Sequence, residues 1–236
     1  ELVMTFWMKR LCAAPLLLLA IAAQDIANAQ LRGHGGPVRA LAIAPDGKHA
    51  VSGSFDTSAV RWSLERNVAE QVMRFHDAAV NAVAYLKDGR IVTGSADGKI
   101  AIWTPGKAEP DKVLEGHRAP VVTLALSPDG ETLASGSWDH TIRPWPLKGG
   151  DPRVLEGNAQ NVNGVAFTPD GKALVSAGYD TTLRIWPLDG GPATVRNMPT
   201  PLNTVVVAPD GEIIAAGATG KVFFVSAKGE VEAEIE

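Results

Sequence analysis

The sequence predicts an all-β chain in which one four-stranded antiparallel unit recurs five times, the units standing as the blades of a β-propeller. Two markers at one period predict it. Asp56, Asp97, Asp139 and Asp180 are spaced 41, 42 and 41 residues apart, and Trp62, Trp103, Trp145 and Trp186 each follow six residues after their Asp. A second register keeps the same step: Pro45-Asp46-Gly47, Lys87-Asp88-Gly89, Pro128-Asp129-Gly130, Pro169-Asp170-Gly171 and Pro209-Asp210-Gly211. Two markers sharing one step identify a repeat protein. Composition agrees, since 24 Gly and 16 Pro among 236 residues suit short strands joined by tight turns.

The block over residues 116–156 shows how each element arises. Val121, Leu124 and Leu126 punctuate a first strand that ends at Ser127-Pro128-Asp129-Gly130. Pro suits the second position of a β-turn, and Gly takes the left-handed geometry that closes the hairpin. The second strand, 133–136, is small and apolar, as close packing on both faces requires. Trp138-Asp139-His140 makes the second turn, strand three runs over 141–145, and Lys148-Gly149-Gly150 turns the chain into strand four over 153–155. Four such strands joined by hairpins make one blade, and blades bury their faces only against one another around an axis. Pro144 lies inside the third strand, where it loses a ladder hydrogen bond and predicts a bulge or a free edge. Arg61 takes the corresponding place in repeat one, where Ile102 and Ile185 are apolar, and an ion pair is the expected partner.

The N-terminus reads separately. Lys9 and Arg10 precede an apolar run over 11–23, and Ala27-Asn28-Ala29 follows. Charge, apolar core and a small-x-small site predict a secretory signal peptide over residues 1–29, begun at Met8 and cleaved between Ala29 and Gln30. The run is shorter than the roughly 20 residues that span a bilayer. The expected location is therefore periplasmic or secreted, with the mature chain at 30–236 and no membrane association after cleavage. The single cysteine, Cys12, lies in the leader, so the mature chain has no disulfide or thiol chemistry. Formal charge is −4 with no basic cluster, which argues against a nucleic-acid partner.

Gly116-His117, Ser135-Gly136-Ser137-Trp138-Asp139 and Trp145 together resemble the WD-repeat family of β-propellers, over about residues 33–236. In that family a His, a Ser or Thr, an Asp and a Trp of each repeat form a hydrogen-bonded chain inside the blade. The resemblance puts these roles on His34, Ser52, Asp56 and Trp62; on His76, Thr93, Asp97 and Trp103; and on His117, Ser135, Asp139 and Trp145. Repeat four keeps Ser176, Asp180 and Trp186 but has Asn158 in place of His; repeat five has Met198, Ala215, Thr219 and Val225. Propellers of this family close with six to eight blades, so the resemblance also implies that five repeats are part of a larger propeller. Were the chain complete, closure on a second copy would make it a homo-oligomer.

For chemistry the sequence offers little. The recurring histidines belong to different blades and make no metal triad, His49 and His140 read as solvated turn or strand-edge residues, and no Cys-x-x-Cys-His attaches a haem. The second residue of each first strand, Arg39, Asn81, Val122, Asn163 and Asn203, lines the channel without a carboxylate, which disfavours a metal. No catalytic residue, metal or cofactor is therefore expected. The residue before each turn Asp is Phe55, Ala96, Trp138, Tyr179 and Ala218, which the resemblance places on the top rim. Two readings stand for its aromatics: rings shielding the neighbouring blade, or a recognition surface of Arg39, Phe55, Asn81, Trp138, Asn163 and Tyr179 for a protein partner. The expected function is a non-catalytic protein-binding scaffold. The alternative is the propeller region of a larger periplasmic c-type cytochrome, an electron-transfer protein, by fold analogy.

Overall fold

A computed structural model of the chain describes residues 33–235, and every named element in them is a β-strand. The leader and its cleavage site lie outside the described residues. Blade one is β1 (Val38–Ile43), β2 (His49–Ser54), β3 (Ser58–Ser63) and β4 (Val68–Arg74). Blade two is β5 (Val80–Tyr85), β6 (Ile91–Ser95), β7 (Ile100–Trp103) and β8 (Lys112–Leu114). Blade three holds β9 (Val121–Leu126), β10 (Thr132–Ser137) and β11 (Ile142–Pro146). Blade four is β12 (Val162–Phe167), β13 (Ala173–Gly178), β14 (Thr182–Pro187) and β15 (Thr194–Asn197). Blade five is β16 (Leu202–Val207), β17 (Ile213–Gly217), β18 (Val222–Val225) and β19 (Val231–Ile235). All pairings are antiparallel, and each sheet runs in sequence order.

Blade three corrects the four-stranded expectation. Its outer strand, expected over 153–155, shrinks to one bridge in which Ile142 and Leu155 exchange bonds of 3.1 and 2.9 Å. The cause is Pro144. N–H groups two residues apart on a strand point the same way, so Pro144 lacks the one donor that would carry the ladder from Ile142 to Arg153. The loss expected from this proline falls wholly on the outer edge, because the inner pairing of Pro144 with Ala134 stays in register.

The turns repeat one device. In all five Pro-Asp-Gly or Lys-Asp-Gly turns the Asp Oδ1 accepts the backbone N–H two residues on, at 2.8 Å from Lys48 and 3.1 Å from Glu212 at the extremes. Gly47, Gly89, Gly130, Gly171 and Gly211 then take φ between 66° and 93°, a region a side chain disfavours.

Each core lies between blades. Val80 and Tyr85 of blade two bury against Val51, Ala59 and Met73 of blade one, and the same pattern recurs at the next three interfaces. First strands pack side by side in the order β1, β5, β9, β12, β16. The approach is close: a Cβ on Gly136 would sit 2.6 Å from Thr123 Cγ2 and 2.9 Å from Val162 Cγ1 of the next blade. On the leading face of blade one, Val38, Leu41 and Ile43 occupy the places of buried Val80 and Tyr85 and half-buried Val83, and are exposed by 55, 66 and 55 %.

Candidate functional site

The repeated polar residues assemble inside the blades. In blade three His117 Nδ1 is 2.8 Å from Asp139 Oδ2, His117 Nε2 is 2.7 Å from Ser135 Oγ, and Trp145 Nε1 donates to that hydroxyl at 2.8 Å. Blade two has the same bonds through His76, Asp97, Thr93 and Trp103 at 2.9, 2.8 and 3.0 Å; blade one has them through His34, Asp56, Ser52 and Trp62 at 3.0, 2.7 and 2.7 Å. The proton order follows from donor inventory. The carboxylate only accepts, so Nδ1 donates to it; the hydroxyl accepts from the indole and bonds Nε2 on its other side. Each member of the network thus has a partner.

The acids are ionised by this arrangement. Burial raises the Asp139 carboxyl, but bonds from His117, Thr141 and the Arg118 N–H outweigh it and hold the group far below the ordinary range. Asp56 is held equally low against burial by Ser58, Gly35 and His34, and Asp97 is lowered against burial by His76 and Lys99. Ser–His–Asp in this bond order resembles an activated nucleophile. Here the hydroxyl is buried and occupied by an indole N–H, and Ser135 and Thr93 are fully covered. No substrate atom reaches it, and the network is a strut.

Blades four and five depart from it differently. In blade four Trp186 still donates to Ser176 at 2.9 Å, and Asp180 accepts from Ala159 and Thr182. Asn158 is buried in the histidine's place, and both its amide atoms lack a hydrogen-bond partner. In blade five Met198, Ala215 and Val225 turn the site apolar and join the core with Leu202 and Phe223. One contact survives in all five blades: the residue before the turn Asp, or before Thr219 in blade five, donates its N–H to the carbonyl just before the first strand. The pairs are Phe55–Pro37, Ala96–Ala79, Trp138–Pro120, Tyr179–Asn161 and Ala218–Pro201, at 2.8 to 3.1 Å.

This contact ties the rim aromatics to the start of each first strand, where a second repeated feature lies. Register skips Arg39, Asn81, Val122, Asn163 and Asn203, each the extra residue of a bulge against the second strand. A bulge leaves its extra residue unpaired and re-aims the side chain. The result is a cavity of about 530 Å³ at that end of the blades, lined by Arg39, Val122, Trp138, Asn161, Asn163, Tyr179 and Asn203. Trp138 and Tyr179 are 43 and 46 % exposed. Trp138 Nε1 donates to Asn163 Oδ1 of the next blade at 3.2 Å, and Asn163 Nδ2 donates to Leu202 O at 2.9 Å. The indole is therefore held in place and still half open to solvent.

Four of the six sequence-derived rim residues thus meet in one cavity: Arg39, Trp138, Asn163 and Tyr179. Phe55 is exposed but outside its lining, and Asn81 spends its amide on Val121 O at 3.3 Å. Asn161 was missed. It lies in the loop before β12, and only its spacing two residues before Asn163 hinted at it.

The opposite end, at the Pro-Asp-Gly turns, has a cleft of about 340 Å³ whose charges are engaged internally. Arg61 pairs with Glu70, which also receives Arg66, and this accounts for the arginine of repeat one. His49, at the start of β2, lies 2.7 Å from Asp46 and 3.4 Å from Glu70. Burial pushes the Tyr85 hydroxyl in this cleft up to about 12. Among the described residues no group of three His, Cys, Asp or Glu is placed to hold a metal ion.

A family model for "WD domain, G-beta repeat" matches residues 27–63, 68–104, 108–143 and 150–187, more than half of the chain. No curated protein matches it.

Proposed function

We propose, for a chain that belongs to the WD domain, G-beta repeat family, that it is an exported, non-catalytic scaffold presenting the bulge-lined mouth to a protein partner. WD-repeat domains typically mediate protein–protein interactions, and the finer reading rests on this chain's own residues. One observation carries it: half-exposed Trp138 and Tyr179 share a single cavity with exposed Arg39. Aromatic rings with Arg, rigidly held and partly dehydrated, are the composition of interface hot spots. The Trp138–Asn163 bond lowers the ordering cost of binding by fixing the indole beforehand.

The non-catalytic part is supported by the sealed hydroxyls of the Ser–His–Asp networks. Export is supported by the sequence pattern over residues 1–29.

The test is alanine substitution at Trp138 and Tyr179, with partner capture from extract of the native host and thermal melting measured side by side. The expected result is capture reduced at least tenfold with an unchanged melting temperature. Unchanged capture rejects the site; capture and melting lost together reduce the rings to packing.

A further inference from the structure

We infer that the mouth cavity recognises an acidic segment of its partner, a carboxylate of that segment pairing with Arg39 between the rings of Trp138 and Tyr179. The inference rests on the mouth being the binding surface and adds the chemistry of what enters it.

Charge distribution points there. The chain carries 26 Asp and Glu against 22 Lys and Arg, yet none of the residues lining the cavity is acidic. Arg39 is exposed on its bulge and has no ion-pair partner among the described residues. Four of the other arginines face carboxylates, Arg61 and Arg66 on Glu70, Arg90 on Asp88 at 2.8 Å and Arg184 on Asp180 at 3.9 Å, but of the arginines only Arg39 lines this cavity. The lining thus carries one positive charge and no negative one. Potentials across an interface are complementary, so the occupant is anionic.

The hydrogen-bonding groups agree. Asn163 is engaged on both sides, accepting from Trp138 and donating to Leu202 O, which fixes its orientation in the site. Asn161 and Asn203 line the same cavity, and their amide N–H groups are donors suited to a carboxylate. Arg presents a planar fork that takes a carboxylate through two parallel bonds. Trp138 and Tyr179 supply apolar walls for the methylene stem of Asp or Glu. A lysine entering the same space meets Arg39, which repels it, and gains only the ring faces in return.

The experiment uses two fluorescein-labelled decapeptides, alternating Glu-Leu and alternating Lys-Leu, titrated with the full-length protein at low salt and read by fluorescence anisotropy. The Glu-Leu peptide is expected to bind at least tenfold tighter than the Lys-Leu peptide, and to weaken as salt rises. Arg39→Gln should cost at least tenfold and flatten the salt dependence, while Arg39→Lys, which keeps the charge and loses the fork, should keep the salt dependence at a lower affinity. Absence of binding by the Glu-Leu peptide, equal binding of both peptides, or an unchanged affinity in Arg39→Gln overturns the inference. The underlying reading fails separately: native-partner capture would then survive Trp138→Ala and Tyr179→Ala. If those variants lose capture and Arg39→Gln does not, only the acidic partner is wrong.

Discussion

Asn158→His should stabilise the protein, because it completes in blade four the network that blades one to three already contain. The room exists. Gly157 leaves a corner over Trp186 like the one Gly116 leaves over Trp145, with ideal Cβ positions 3.4 and 3.6 Å from the respective indole edges. By analogy with His117, the new ring would accept from Ser176 and donate to Asp180. A neutral hydrogen bond contributes about 1 kcal/mol and one to an ionised acid about 1.5–3 kcal/mol, while each buried orphan atom now on Asn158 costs about 1–3 kcal/mol. Overpacking by the larger ring offsets roughly 1–3 kcal/mol. Taking the low end of each gain against that overpacking, the balance favours His by about 2 kcal/mol, a rise in Tm of about 4–8 °C for a domain of this size. The assay is urea unfolding followed by tryptophan fluorescence, with Asp180→Asn added in a double-mutant cycle. A midpoint that stays or falls in Asn158→His refutes the reasoning. So does a gain that persists when Asp180 is also replaced, since the stabilisation would then come from packing alone.

Three further outcomes follow from the same geometry. Gly136→Val should lower stability by about 1–3 kcal/mol in urea unfolding, because even its Cβ collides with Thr123 and Val162. Pro144→Ile restores the missing donor toward Arg153, so hydrogen exchange should show a slowly exchanging amide at 144 and added protection near 153–155. Acidification should destabilise the fold. Asp56, Asp97 and Asp139 titrate below their ordinary value when folded, so the unfolded chain takes up protons first. Their contribution is intact above about pH 4 and is lost as pH falls through the lower folded values. Urea midpoints measured across that range should drop, and Asp139→Asn should make the drop shallower.

Much of the blade was legible because its determinants are local. Pro-Asp-Gly names a turn, and an Asp six residues before a Trp brackets a strand whose length is then settled. The His, Ser or Thr, Asp and Trp positions could be aligned by spacing, and the network geometry follows once the sheet forms. What was not legible depends on register. The bulge that skips Arg39 and its four counterparts changes no composition, so the column could be aligned but its re-aimed side chains could not be foreseen. The side on which Pro144 costs a bond is likewise a matter of N–H direction, set only by the pairing of Ala134 with Pro144. Asn161 joins the cavity through a loop path, which periodicity does not describe. The apolar replacement in blade five was visible residue by residue. Its consequence, a core closed by Met198, Phe223 and Val225 in place of a polar strut, required the packing.

The central claim is that the partner engages the mouth and not the Pro-Asp-Gly end. The most direct measurement places a photo-crosslinking amino acid at position 179 in one protein and at position 129 in another, each irradiated in the native host. The account predicts a specific adduct from position 179 that disappears when Trp138→Ala is added, and none from position 129. An adduct from position 129 alone, or one from 179 that ignores Trp138→Ala, contradicts it.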